Sequence, residues 1–390
     1  MQLLTVQKEV LDILKEVELG ESQEDKFWIA TRESSDEDHL TYGDVQVLQG
    51  SKGALLECDN FAVTKNGLKS IFIDPPGRVC TLPSLSIDIR LVLAVALTKS
   101  TRNLIVGTEQ GHLKRFDTES KKETNEVKDA HFSAIKLLRT FPSDKVLLSV
   151  GGDFQIKLWD IELAEDKPAR TFRHQQKAIT DIALIGSGRN FVLTSEDGST
   201  VLWECGSGQV VSTFLRIDNH NDPALCVVVN ATKDPINSSD VVSGECLYEC
   251  DDKVMYVGYQ SGIIQEFRIA SHSQSSIKFK ADHAVTALVS ADESTLVAGY
   301  SDGTIVVWDI DAQTPMHKEV FNPSFLISNM TIKSTKTLVF DNGPELLLTM
   351  DLESYKVGQL VGLTEAFDVK LIAAVDQTVV VATSDEIAHF

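Results

Sequence analysis

One stretch, His174 to Phe214, most constrains what this chain can fold into, because the sequence beyond about residue 77 keeps returning to its pattern. Ile182 to Leu184 is a short apolar run. Gly186, Gly188 and Asn190 supply a turn, Phe191 to Ser195 is a second run, Asp197-Gly198 is a tight hairpin signal, and Val201 to Glu204 is a third strand. The position of Asp197 recurs as Gln110, Asp153, Ser261, Asp302, Asn342 and Asp385, each followed by a strand such as HLKRFD, QIKLWD or TIVVWD. Seven marks predict seven sheets built alike. The step from Asp197 to Ser261 is longer and holds a polar, Cys-bearing stretch, 233–252, which reads as a loop insertion in the fourth copy.

His174, Ser195, Asp197 and Trp203 have the spacing at which WD repeats join a loop histidine, a turn aspartate, a strand hydroxyl and an indole N–H into a buried relay. His131, Asp153 and Trp159 match the same positions, and so do His283, Asp302 and Trp308. A buried indole donor and a buried carboxylate are each costly alone, so these residues read as structural, with no catalytic or metal role. The fold class expected is mainly β, a seven-bladed WD-repeat β-propeller over 77–390 with a small α+β N-terminal unit over 1–76. The last copy stops at Phe390 in its third strand. Its fourth must come from before the first copy, and Arg78 to Leu82 is placed to supply it.

In the N-terminal unit, Leu3, Val6, Val10, Ile13 and Val17 predict one amphipathic helix over 2–18. The acidic stretch from Gly20 to Asp44 reads as solvated loop around one short strand, Phe27 to Ala30. Val45 to Leu48, Ala54 to Glu57, Phe61 to Thr64 and Lys69 to Ile73 then read as short strands, with Asn66-Gly67 a hairpin signal.

Lys+Arg 36 against Asp+Glu 57 leaves a net charge of -21, which repels nucleic acid and anionic membranes and favours basic protein partners. Six scattered Cys lack a secreted disulfide framework, and Cys246 and Cys250 have no second pair to complete a zinc site. No Gly-x-Ser-x-Gly elbow, His-Glu-x-x-His or phosphate-cradling glycine loop occurs, so the chain is expected not to be an enzyme, to bind no metal and to need no cofactor. The N-terminus resembles neither a signal nor a transit peptide and no run reaches spanning length; a soluble protein of cytoplasm and nucleus, monomeric alone, is expected.

Gly188-Arg189-Asn190, Asp197-Gly198 and Trp203-Glu204-Cys205-Gly206, with Phe141-Pro142-Ser143 and Gln155-Ile156-Lys157-Leu158-Trp159, stand beside Phe61-Ala62-Val63-Thr64 and Lys69-Ser70-Ile71 ahead of the repeats. In these the chain resembles the proteasomal ATPase-associated factor family, over most of 61–390. Fungal members of that family are assembly chaperones of the proteasome regulatory particle. The resemblance implies a propeller that binds the C-terminal small domain of one proteasomal ATPase subunit, holds an assembly intermediate and leaves the mature particle.

In a propeller of this kind, the loops entering each sheet and the hairpins before each third strand share one face. Asp88, Glu109, Asp129, Glu196, Asp282, Glu365 and Asp385 fall there outside the relay positions, and are the candidates for docking a basic ATPase surface. Two alternatives are a generic scaffold and a substrate receptor of a ubiquitin ligase. Such receptors resemble one another in a Trp-Asp-x-Arg box; here Trp159-Asp160-Ile161-Glu162 and Trp308-Asp309-Ile310-Asp311 put an acid where the guanidinium should be.

Overall fold

The computed structural model describes residues 2–390 apart from 34–35, 51–52, 67–69, 75, 84, 89–91, 101, 121, 233–246, 335, 345, 364–368, 376–377 and 384–385. The chain forms two compact units, Leu91–Met330 and Met1–Arg90 with Thr331–Phe390. This division differs from a boundary at 76 and 77.

Leu91–Met330 holds five four-stranded antiparallel meanders, over 92–127, 135–172, 179–214, 224–280 and 285–320. Each corresponds to one copy of the repeat. In the third sheet Asn190–Ser195 and Thr200–Glu204 are buried throughout, because that sheet is sandwiched between the second and the fourth. Fourth strands lie at the rim and alternate or turn polar, as in Lys122–Val127. The core is a series of layers between neighbouring sheets. Leu148, Val150 and Phe172 of the second sheet pack with Ile182, Phe191 and Trp203 of the third, and Phe214 of the third packs with Met255 and Phe267 of the fourth.

The same irregularity recurs in all five first strands of this unit: the register skips one residue between Val92 and Ala94, Ile135 and Leu137, Ile179 and Asp181, Ala224 and Cys226, and Val285 and Ala287. The extra residue is then free to tie its sheet to the next. Thr180 Oγ1 donates to Ala224 O at 2.8 Å and Thr286 Oγ1 to Ile327 O at 2.6 Å. Close approach also explains a second-strand glycine. A Cβ on Gly258 would stand 2.6 Å from Val285 Cγ1 at the start of the fifth sheet.

In the other unit, Gln2–Val6, Glu24–Glu33, Asp36–Gly50 and Gly53–Glu57 form a four-stranded meander packed on the helix Val10–Leu19. One helix over 2–18 is therefore corrected to a strand and a helix. Leu4 and Val6 alternate into the core as a strand does, while Val10, Ile13, Leu14 and Val17 face it from the helix. Gly20 ends the helix at φ 77, donating to Glu16 O and Val17 O. The acidic 20–44 stretch is corrected likewise. It forms most of a long hairpin, in which Phe27, Ile29, Val45 and Val47 are buried between exposed charges such as Lys26 and Asp44.

Ala62–Lys65, Ser70–Asp74 and Arg78–Thr81 form a second meander that joins the sheet of Met330–Lys333, Thr337–Asp341, Leu347–Asp351 and Val357–Leu360. The closing strand expected at Arg78 to Leu82 is thus elsewhere. Arg78–Thr81 has both edges occupied, by Ser70–Asp74 antiparallel and by Val357–Leu360 parallel with Gln359 opposite Cys80. The last sheet, Val369–Val375, Thr378–Thr383 and Glu386–His389, is completed instead by Leu85–Asp88, with Ile87 opposite Ile387. A strand already paired on both sides offers no hydrogen-bonding groups to a third partner, so the next segment of chain takes the role.

Candidate protein-interaction face

In an antiparallel meander of four strands, the loop entering the first strand and the turn joining the second to the third lie at the same edge. Backbone hydrogen bonds in Leu91–Met330 weld these into a belt. His131 N donates to Gly111 O at 3.0 Å, Ala281 N to Gly262 O at 2.9 Å and Phe321 N to Gly303 O at 3.0 Å, each linking an entering loop to the previous sheet's turn. Gly152 N to Ala134 O at 2.8 Å and Glu196 N to Ala178 O at 3.0 Å link a turn to the loop of its own sheet.

The relay positions sit beneath this belt, and they differ from sheet to sheet. In the second sheet Trp159 Nε1 donates to Ser149 Oγ at 2.9 Å, Ser149 Oγ is 2.7 Å from His131 Nε2, and His131 Nδ1 is 3.0 Å from Asp153 Oδ1. A carboxylate only accepts, so Nδ1 carries the proton and Nε2 accepts from the serine. Burial lowers the His131 pKa below that of an ordinary histidine despite the neighbouring Asp153, consistent with a neutral ring. Burial raises the Asp153 carboxyl, but the neighbouring His131 ring and hydrogen bonds from His131 Nδ1, Gln155 N and Phe132 N outweigh it and hold the group low.

The third sheet does not make the relay expected of it. Trp203 Nε1 is buried with no acceptor among the described residues, and His174 is exposed, its ring edge-on to the indole at 6.0 Å. Asp197 instead accepts from Ser199 N at 2.9 Å and Ser199 Oγ at 2.6 Å, and Ser195 Oγ from Asp197 N at 3.4 Å. Ser199, two residues on, satisfies the aspartate locally and leaves the histidine outside. In the fifth sheet Trp308 Nε1 donates to Tyr300 Oη at 3.2 Å, and His283 stands 3.4 Å from Asp302. Tyrosine replaces the strand serine there.

The fourth sheet builds the same corner from other residues. Buried Arg216 pairs with Asp222 at 2.6 Å and lies over the Tyr259 ring at 5.0 Å, while Asp222 accepts from Ser261 N at 3.2 Å and from the Ser261 hydroxyl. The acid has moved from the turn to the loop, and a serine holds the turn. Hydrogen bonds from Lys278 and Arg216 hold neighbouring Asp218 down at about 2.

Among the acidic candidates, Glu109, Asp129, Glu196 and Asp282 are exposed at the loop edge of this unit, on four different turns and loops. Asp129 is 85% exposed and has φ 53. Asp88 lies in the closing strand Leu85–Asp88 of the other unit, with its side chain outside the described residues, as are Glu365 and Asp385 entirely. Acidity by itself does not single out this edge. Lys128, Arg173, Lys177 and Lys280 are exposed on it too, and Glu119, Glu165, Asp166, Asp292, Glu293 and Asp311 are exposed at the opposite edge.

What does distinguish the edge is apolar. Phe132, Phe154, Leu215, Ile217, Phe325 and Leu326 are all exposed in its loops and turns, with Phe132 at 85% and Ile217 at 72%. Sequence reasoning passed over them because an apolar residue in a loop reads as loop filler. The available signal was position: Phe132 directly follows a relay histidine, and Leu215 and Ile217 flank the arginine of the ion pair. No group of three or more His, Cys, Asp or Glu among the described residues is placed to hold a metal ion.

Comparison with known proteins agrees with these sheets. The family model described as WD domain, G-beta repeat matches residues 166–204 and 273–309. The chain is 27% identical over 262 residues to the 26S proteasome regulatory subunit RPN14 of Saccharomyces cerevisiae, covering 65% of this chain and 62% of that one. It is 30% identical over 188 residues to Pre-mRNA-processing factor 17 of Homo sapiens, covering 47% and 29%. It is 24% identical over 216 residues to Angio-associated migratory cell protein of Homo sapiens, covering 54% and 47%. The chain thus spans less than two thirds of the length of each. With repeats matched by the family model and four-stranded antiparallel sheets recurring along it, the chain has the fold class of a WD-repeat β-propeller.

Proposed function

We propose that this protein is a non-catalytic assembly chaperone of the proteasome regulatory particle base, which binds the C-terminal small domain of one proteasomal ATPase subunit through the loop edge of Leu91–Met330. The observation that carries the reading is the likeness to a 26S proteasome regulatory subunit across 65% of this chain. The exposed acids Glu109, Asp129, Glu196 and Asp282 support it, since they suit a basic partner and would act mainly by speeding encounter. A ligase-receptor role is disfavoured by the chemistry at Glu162, which stands where an adaptor-binding arginine would be needed and pairs with Arg115 at 2.7 Å.

The test is direct binding of the purified protein to each proteasomal ATPase small domain and to a ligase adaptor. One ATPase domain should bind and the adaptor should not. Failure to bind any ATPase small domain overturns the chaperone reading and leaves a scaffold of another complex.

A further inference from the structure

Eight large apolar side chains are exposed in Leu91–Met330 among the described residues, and they are distributed unevenly between its two edges. Phe132, Phe154, Leu215, Ile217, Phe325 and Leu326 stand in loops and turns of one edge, and Val320 ends a strand there; Met316, near the start of that strand, lies at the other. Both edges are loops and turns that meet the same solvent. Clustered exposure of this sort marks an interaction surface.

Two of these side chains stand on backbone that is tied down. The Phe132 N–H donates to Asp153 Oδ2 at 3.2 Å, so the relay that buries His131 fixes the backbone from which the phenyl group projects, and Lys157 Nζ lies 5.7 Å from its ring centroid. The Ile217 N–H donates to Gln274 Oε1 at 2.8 Å, between Arg216, held by Asp222, and Asp218, held by Lys278 at 2.6 Å. Each loop spends a buried polar network on presenting an apolar group to water. Backbone ordered before contact does not have to be ordered on binding, which favours the apolar groups it carries as anchors.

The surroundings state the partner's chemistry. Asp129 lies three residues before Phe132, and the turn bearing Glu109 abuts that loop, with Gly111 against the His131 and Ser133 carbonyls. The turn bearing Glu196 abuts the Ile217 loop in the same way, with Gly198 against the His220 and Asp222 carbonyls. We infer that Phe132, with Asp129 and Glu109 beside it, and Ile217, with Asp218 and Glu196 beside it, are apolar anchors for a protein segment that presents apolar side chains flanked by Lys and Arg; this deepens the chaperone reading above and rests on it for the partner's identity.

The test compares the full-length protein with Phe132→Ala/Ile217→Ala and with Met316→Ala, after checking that all three unfold at the same denaturant midpoint. Two probes are used: the proteasomal ATPase small domains, and a synthetic amphipathic helix of Leu and Lys set against an Ala and Lys helix of equal charge. The double variant should bind the ATPase domain and the Leu/Lys helix about ten-fold more weakly or worse, through faster dissociation, while Met316→Ala binds as wild type. If wild type binds the Leu/Lys helix in this manner but no ATPase domain, the anchors stand and only the chaperone reading falls. Equal binding by wild type and double variant, equal loss in Met316→Ala, binding to neither probe, or self-association of wild type that the double variant abolishes would each overturn the inference.

Discussion

Trp159 donates its indole N–H to the Ser149 hydroxyl at 2.9 Å, whereas Trp203, at the same position of the next sheet, has its N–H buried without an acceptor among the described residues. Both rings are nearly fully buried, at 2% and 3% exposure. Replacing either by Phe removes the same volume, so their difference isolates the hydrogen bond. Trp159→Phe should therefore cost about 1 kcal/mol more than Trp203→Phe by denaturant titration at constant slope. The reverse order would mean that the Trp203 indole is the better partnered of the two.

The same relay predicts an acid sensitivity. His131 has its pKa lowered from an ordinary 6.5 by burial, so the unfolded chain takes up a proton at higher pH than the folded one. Stability is then lost as pH falls below about 6.5, and the loss continues until the lowered folded pKa is passed. Unfolding midpoints between pH 7.5 and 5.5 should slope down for wild type, and less steeply for His131→Gln. Parallel slopes would place the sensitivity at other groups.

Arg216 and Asp222 are each 4% exposed and pair at 2.6 Å, so removing one charge strands the other. Arg216→Met should destabilise by about 3–5 kcal/mol, and Arg216→Met/Asp222→Asn by less than the single change, because the second substitution removes the uncompensated carboxylate. Denaturation of the two variants and wild type checks the order. A double variant less stable than Arg216→Met would show that Asp222 matters chiefly to the Ser261 turn it also holds.

Charge at the loop edge should be read in rates. Glu109→Lys/Glu196→Lys should slow association with the ATPase small domain and flatten its dependence on salt, since such fields are screened over about 8 Å at physiological ionic strength. Glu119→Lys/Glu165→Lys makes the same charge change at the opposite edge, where both acids are exposed. Equal slowing by the two pairs would assign the effect to net charge rather than to this face.

Local pattern carried much of this protein into the sequence. Strand runs and turn signals depend on neighbours a few residues apart, so the recurrence marked by Asp153, Asp197 and Asp302 was legible, and each mark falls in a turn between second and third strands. The insertion too falls between strands, Ala224–Ala231 and Lys253–Tyr259. Pairing was not legible, because a hydrogen-bonding edge is satisfied by whichever strand the tertiary fold brings to it. Arg78 to Leu82 is the strand the sequence offers to complete the last sheet, but the parallel pairing of Cys80 with Gln359 occupies its edge and Leu85–Asp88 takes the role. Leu3 and Val6 fitted a helical stripe as well as a strand until the partner Glu24–Glu33 existed to pair with them. The aspartate and tryptophan of the relay share one spacing in the second and third sheets, but the serine that accepts from Trp159 stands four residues before its aspartate, where the third sheet has Leu193, and Ser199 captures Asp197 instead. Exposure was the last thing withheld. Phe132 and Phe191 are the same residue type, and only the packed structure puts one in water at the loop edge and the other in the core between two sheets.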